Sequence, residues 1–125
     1  DSDWRDLVKA TIESVAYQTS DLFVSMRKDG LNPKSVKVDG GMVSNNWFVQ
    51  FLSEILKIKI TRSKINETTA LGAAYMAGYQ NGIYRSLSDI KQNWKKDRDF
   101  KPKFNKSYRN KLLQGWQQAI KKTLA

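Results

Sequence analysis

The apolar residues of the first 28 positions recur at intervals of three or four. Trp4, Leu7, Val8, Ile12, Val15, Leu22, Phe23 and Met26 fall on one side of a helix drawn at about 3.6 residues per turn. The pattern predicts a long amphipathic helix from Asp3 to about Lys28, with Asp3 as N-cap and Gly30 just beyond the C-terminal end. Asn32-Pro33 then turns the chain. At Ser35-Val36-Lys37-Val38 the period changes to two, which predicts a short strand running into Asp39-Gly40-Gly41. Helical spacing returns from about Ser44 to Leu56, with Trp47, Phe48, Phe51, Leu52 and Ile55 on its apolar side. Ile58-Lys59-Ile60-Thr61 alternates again and predicts a second strand. Residues 67–81, ETTALGAAYMAGYQN, predict a third helix whose small residues imply close packing, stopped by Asn81-Gly82. Ser86 caps a short helix through about Trp94. Residues 95–106, highly charged and containing Pro102, read as an irregular extended arm. Ser107 opens a last helix through about Thr123, in which Tyr108, Leu112, Trp116, Ala119 and Ile120 read as a buried stripe.

Helices alternating with strands predict an α/β unit followed by two peripheral helices. Two strands are few for a stable sheet, and the chain enters a helix almost at Asp1 with no initiator Met. Both features read as a segment whose neighbours lie elsewhere. At 125 residues the chain is one domain or part of one. No apolar run approaches the ~20 residues of a membrane-spanning helix, and no basic-then-apolar leader opens the sequence. The expectation is a cytoplasmic protein without a membrane partner. Cysteine and histidine are both absent, which excludes disulfides, thiolate nucleophiles, histidine bases and most zinc sites.

Charge changes the picture only in the last third. Residues 1–84 carry ten basic and nine acidic side chains, whereas residues 85–125 carry twelve basic and three acidic. Such an excess suits a nucleic acid, an anionic lipid or an acidic partner. Trp94, Phe100, Phe104, Tyr108 and Trp116 lie among the lysines, as at a nucleic-acid surface. The helical spacing of Tyr108, Leu112, Trp116, Ala119 and Ile120 favours packing instead, and the basic residues then read as solvated faces.

The stretch with most chemical content is Val36 to Asn46, VKVDGGMVSNN. A strand ends in two glycines and a helix opens a few residues later. Glycine lets a ligand approach the backbone, a helix start offers unpaired N–H groups, and Asn45 can donate and accept. Open α/β sheets bind ligands just beyond the carboxyl ends of their strands. A nucleotide or sugar-phosphate site is one reading of this turn. A tight strand-to-helix turn without a ligand is the other, since both phosphate-loop spacings are missing.

VDGGMVSNNWFVQFLSEIL resembles the adenosine-side loop and following helix of the FGGY family of carbohydrate kinases. ATIESVAYQTSDL, ETTALGAAYMAGYQNGIY, FKPKFN and GWQQAIKKTL resemble further stretches of that family in the same order, so the resemblance covers nearly the whole chain. The paired Asn of the loop brings it closer to members that phosphorylate glycerol than to those acting on xylulose; Met42 and Ser44 depart from the small residues often found there. The resemblance implies part of an actin-like, ribonuclease H-like ATPase fold, residues 1–84 forming a nucleotide-side α/β unit and residues 85–125 basic peripheral helices. It implies ATP or ADP bound at Gly40, Gly41, Met42 and Asn45, and leaves open whether Asp39 touches the ligand or braces the turn, the brace being favoured. It also implies Mg²⁺ ligands, the catalytic base and the glycerol contacts outside this segment, and a homo-oligomeric whole. No catalytic residue and no metal ligand is expected within it. Another sugar kinase of the family, a nucleic-acid module and a partner-binding module stand as alternatives.

The remaining polar residues have plainer readings. Glu67 reads as a first-turn acid of its helix, and Thr68 and Thr69 as capping or packing groups. Glu13 and Asp21 stand too far apart on one helix to act as a catalytic pair. Arg62 and Lys64 could meet a phosphate but read as solvated loop charges. The four Trp residues read as packing.

Overall fold

The computed structural model describes residues 2–65 and 67–124. Helix α1 spans Trp4–Lys28. Its Asp3 cap accepts from the Arg5 and Asp6 amides while the Asp6 carboxylate accepts from the Asp3 amide, a reciprocal capping box. At the other end Gly30 adopts φ +85°, and the Gly30 and Leu31 amides donate back to the carbonyls of Arg27 and Met26. Strand β1 is Ser35–Val38, followed by a 3-10 turn at Gly41–Ser44. Then come α2 (Asn46–Leu56), β2 (Lys59–Ser63), α3 (Thr68–Gln80), α4 (Leu87–Gln92), β3 (Lys96–Phe100) and α5 (Lys106–Leu124).

The three strands form one sheet in the order β1-β2-β3. β1 and β2 are parallel, Val36 beside Ile60 and Val38 beside Arg62, with α2 as the crossover between them. β3 is antiparallel to β2, Phe100 opposite Ile60 and Asp99 opposite Thr61. Residues 96–100 are therefore not an irregular arm, as their charge suggested. Lys96, Asp97 and Arg98 are exposed, so the alternation that betrays a half-buried strand is missing. An edge strand of this kind needs charge to discourage further pairing. Only Phe100 is buried, and it joins the core.

That core is built around α2, where Phe48, Val49, Phe51, Leu52, Ile55 and Leu56 are all buried. α1 covers α2 with Ala16, Tyr17 and Phe23, and the sheet covers it with Val36, Val38, Ile60 and Phe100. The apolar side of α1 is only partly used. Trp4, Leu7, Val8 and Leu22 are exposed, whereas Ala16, Tyr17 and Ser20 are buried. The reason is length: 25 residues of α1 extend about 37 Å, and the 11 of α2 only about 16 Å.

Buried polar groups tie the C-terminal third to this centre. The Glu54 carboxylate, 2% exposed, accepts the backbone amides of Lys103 and Phe104. Ser53 Oγ donates to the carbonyls of Ile58 and Phe100, at 3.0 and 3.2 Å. Arg109 Nε donates to the Ile55 carbonyl at 2.7 Å, and burial lowers the Arg109 pKa. α5 then reaches α1, where Trp116 stacks on Tyr17 and its indole N–H donates to Asp21 at 2.7 Å. Phe104 packs edge-on against Phe51 and Tyr108. Phe100 and Trp116 are thus packing groups, whereas Phe104 and Tyr108 touch neighbouring rings but stay exposed, and of the α5 stripe only Leu112, Trp116 and Ile120 are half-buried. In α3, close approach occurs at Gly78, where an added Cβ would lie 2.8 Å from the Tyr84 ring. Ala70, Ala73, Ala74 and Ala77 of the same helix are exposed.

Two outcomes are expected. Glu54→Ala leaves two amides without an acceptor and lowers stability by about 2–4 kcal/mol in urea unfolding; Glu54→Gln keeps an acceptor oxygen and costs about half as much. Burial, reinforced by Glu13 and Tyr108, pushes the Tyr17 hydroxyl up to about 12. The folded state therefore keeps a proton that the unfolded state releases near pH 10, so stability falls as pH rises from 10 through 12. Tyr17→Phe should flatten that part of the unfolding midpoint-against-pH curve.

Candidate functional site

The loop Asp39–Asn45 leaves the carboxyl end of β1 and feeds α2, beside the carboxyl end of the parallel strand β2. Its conformation starts from Gly40, at φ +92° and ψ 173°, a region that only glycine enters without strain. Among the described residues no atom lies within 4 Å of where a Gly40 Cβ would sit, so the backbone rather than crowding requires glycine there. Gly41 is different: its φ is ordinary, and its missing Cβ also faces open space. The Val43 side chain is buried and anchors the inner side of the loop, while Met42 is half exposed. The Ser44 hydroxyl donates to the Gly41 carbonyl at 2.7 Å and closes the turn on itself.

The α2 helix begins two residues later than its apolar spacing suggested. The Asn45 side chain is its N-cap, Oδ1 accepting from the amides of Trp47 and Phe48 at 3.0 and 3.2 Å. Amides expected to serve a ligand are thereby spent inside the protein. The Asn45 Nδ2 is the side-chain group left to offer outward. Gly41 and Met42 lead the 3-10 turn, a position in which the helix itself supplies no acceptor for the amides. Gly40, Gly41, Met42 and Asn45 thus share one exposed loop whose inner side is fixed.

Two clamps hold this loop. The Asp39 carboxylate accepts the Thr68 hydroxyl, joining the end of β1 to the start of α3. Glu67 stands at the N-cap position of α3 rather than in its first turn, and its side chain makes no capping bond. The second clamp is Arg62, which lies on β2 and not in a loop. Its Nη1 donates to the carbonyls of Val43 and Ser44, at 2.8 and 3.3 Å. Its Nε and Nη2 meet Asp97 Oδ2 of β3 at 2.7 and 2.6 Å. The sequence offered Arg62 as a candidate phosphate contact but favoured a solvated loop charge, and it did not single out Asp97. The available signal was alternation: Arg62 follows Ile60 by two residues and so shares its inward face. On the neighbouring register, Thr61 and Lys96 hold the Asp99 carboxyl below the usual carboxylate range.

Room alone does not locate the site. Open grooves of about 570 and 430 Å³ run along α5, far from the glycine turn in sequence and lined by residues such as Gln114, Gln117, Tyr17 and Trp116. Beside the loop is a hollow of about 210 Å³ lined by Ser44, Arg62, Ser63, Lys64 and Asp97. A mainly apolar cleft of about 320 Å³ lies between the sheet, α3 and α4, where the Lys37 ammonium sits over the Trp94 ring at 3.8 Å.

Residues 1–81 match the C-terminal domain of the FGGY family of carbohydrate kinases. The chain is similar to glycerol kinase 1 of Pseudomonas aeruginosa, 46% identical over 122 residues, which cover 98% of this chain and 25% of that protein. Similar too is the Bacillus subtilis glycerol kinase, 44% identical over 119 residues, covering 94% of this chain and 24% of that one. The chain therefore spans about a quarter of the length of these relatives. Among solved structures, glycerol kinase of Plasmodium falciparum with ADP superimposes with a TM-score of 0.80 at 36% identity, over 94% of this chain and 24% of that one. A xylulose kinase from Lactobacillus acidophilus shares the fold, with a TM-score of 0.70 at 21% identity over 87% of this chain and 22% of that one.

The two glycines should separate cleanly on substitution. Gly40→Ala forces a side chain into the glycine-only region and should cost about 1–3 kcal/mol in thermal or urea unfolding. Gly41→Ala should leave the unfolding midpoint unchanged, because its methyl would meet no atom of the described residues.

Proposed function

Because the chain belongs to the FGGY family of carbohydrate kinases, we propose that it is the C-terminal, nucleotide-side part of a glycerol kinase. In this reading Gly40, Gly41, Met42 and Asn45 line one wall of an ATP pocket. The observation that carries it is the exposed loop after β1, whose inner side is occupied by Val43, Arg62 and the α2 cap while its outer side stays open. Support comes from the similarity to a structure described as glycerol kinase with ADP, at 36% identity. Gly41 lets the nucleotide approach the backbone, Asn45 Nδ2 donates to it, and the exposed Met42 offers an apolar contact to the adenine ring.

The chemistry then falls to the rest of the enzyme. A carboxylate there takes the proton of a glycerol hydroxyl, and the alkoxide oxygen attacks the γ-phosphorus of ATP in line, breaking its bond to the β–γ bridging oxygen. The products are sn-glycerol 3-phosphate and ADP. Carboxylates near the loop are already engaged, Asp39 by Thr68, Asp97 by Arg62 and Asp99 by Thr61 and Lys96. The donor set here does not suit Mg²⁺, whose ligands belong in this reading to the other part of the cleft. When bound, that ion would neutralise charge on the phosphates. The proposed whole is a cytoplasmic homo-oligomer.

An ADP titration of isotope-labelled protein followed by two-dimensional NMR tests the loop. Saturable shifts confined to Gly40, Gly41, Met42 and Asn45 are expected; shifts centred elsewhere, on α5 for example, would overturn the assignment. This chain alone should show no glycerol-dependent ATP turnover. In the full-length enzyme Gly41→Ala should raise the KM for ATP by about tenfold, the equivalent of one lost close contact of about 1.4 kcal/mol.

A further inference from the structure

The sequence left Arg62 as a surface charge that a phosphate could meet, but the structure engages that guanidinium on two sides. Nε and one terminal nitrogen face Asp97, and the other terminal nitrogen faces two carbonyls of the loop. The Arg62 side chain is 13% exposed. We propose that Arg62, oriented by Asp97, is a positioning residue that sets the affinity of the glycine loop for the adenosine end of ATP. The proposal rests on the nucleotide reading of that loop.

The argument is one of connectivity and geometry. Val43 and Ser44 close the 3-10 turn that begins at Gly41. Fixing their carbonyls to a β2 side chain fixes the loop against the sheet rather than only against its own helix. Among the described residues no atom lies within 4 Å of where a Cβ of Gly40 or Gly41 would sit, so no packing at those two positions holds the loop. Arginine suits the task because its planar fork serves a carboxylate on one edge and carbonyls on another at once. A lysine carries the charge but cannot hold both edges from one rigid plane. Asp97 also makes β3 part of the device: the edge strand neutralises and aims the cation that holds the loop. Lys96 and Asp99 form a second ion pair on the same strand with no contact to the loop, a built-in control.

A loop that contacts the adenosine end acts far from the transferred phosphoryl group. Loosening it removes binding shared by the ground and transition states, which raises KM and leaves kcat alone. A merely structural role would lower the amount of folded enzyme and leave KM unchanged.

The test uses the full-length kinase containing this segment, with ADP affinity by calorimetry beside steady-state kinetics and thermal unfolding. Arg62→Lys should weaken ADP binding and raise the KM for ATP about tenfold, the scale of one charge-assisted hydrogen bond. Asp97→Asn, which leaves Arg62 in place, should give a smaller change in the same direction. The KM for glycerol and kcat at saturating ATP should stay within about twofold, and Lys96→Met should change nothing. Unchanged ADP affinity in folded Arg62→Lys and Asp97→Asn proteins would overturn the proposal, as would a fall in kcat at constant KM. Should Arg62→Lys fail to fold, Asp97→Asn decides between the same two outcomes. If the wild type binds ADP but does not phosphorylate glycerol, the glycerol kinase reading fails while the affinity comparison still judges Arg62.

Discussion

Helix α2 has no face to spare for solvent over most of its length, and that burial sets the position of everything around it. From Phe48 to Leu56 all its residues but Gln50 are buried, including Ser53 and Glu54. A helix enclosed this way has to carry its polar side chains inward, where each needs a partner. Ser53 finds the carbonyls of Ile58 and Phe100, and Glu54 finds the amides of Lys103 and Phe104. These bonds join the last third of the chain to the centre. They fix where β3 ends and where α5 begins.

The glycine loop inherits its rigidity from the same helix. Asn45 caps α2 with its side-chain oxygen, so the loop cannot shift without uncapping the core helix. Val43 is drawn into the core from the other side. Arg62 and Asp97 then fasten the turn to the sheet, and Asp39 fastens the strand end to α3. What remains outside these attachments is a short exposed surface carrying Gly41, Met42 and the side-chain Nδ2 of Asn45. In the proposed reading this surface is a binding wall pre-organised by groups that do not touch the ligand.

The margins are organised differently from the centre. α3 presents alanines outward and touches its surroundings through Thr68, Gly78 and Tyr75, the last packed edge-on against Tyr84. α5 is basic on its exposed positions and rests on α1 and α2 through Trp116 and Arg109. The large positive charge of the last third coexists with ordinary packing, because long cationic side chains keep their heads in water while their helix contributes a half-buried stripe.

The sequence by itself determined the helices, the first two strands and the glycine turn after the first of them. Those features rest on local causes: helical or alternating spacing of apolar residues, caps at Asp3 and Ser86, and a glycine where φ must be positive. The family could be read there too, since the loop and the Ala-rich helix carry their signals as continuous strings. Only the tertiary structure decided that residues 96–100 are a strand and that Arg62 is a clamp. Each of those depends on a partner distant in the chain, whereas the Asn45 cap is as local as those at Asp3 and Ser86 and escapes a reading that starts the helix at Ser44. A charged edge strand looks like a solvated loop until β2 pairs with it. An inward arginine looks like a stray cation until Asp97, 35 residues further on, is brought against it.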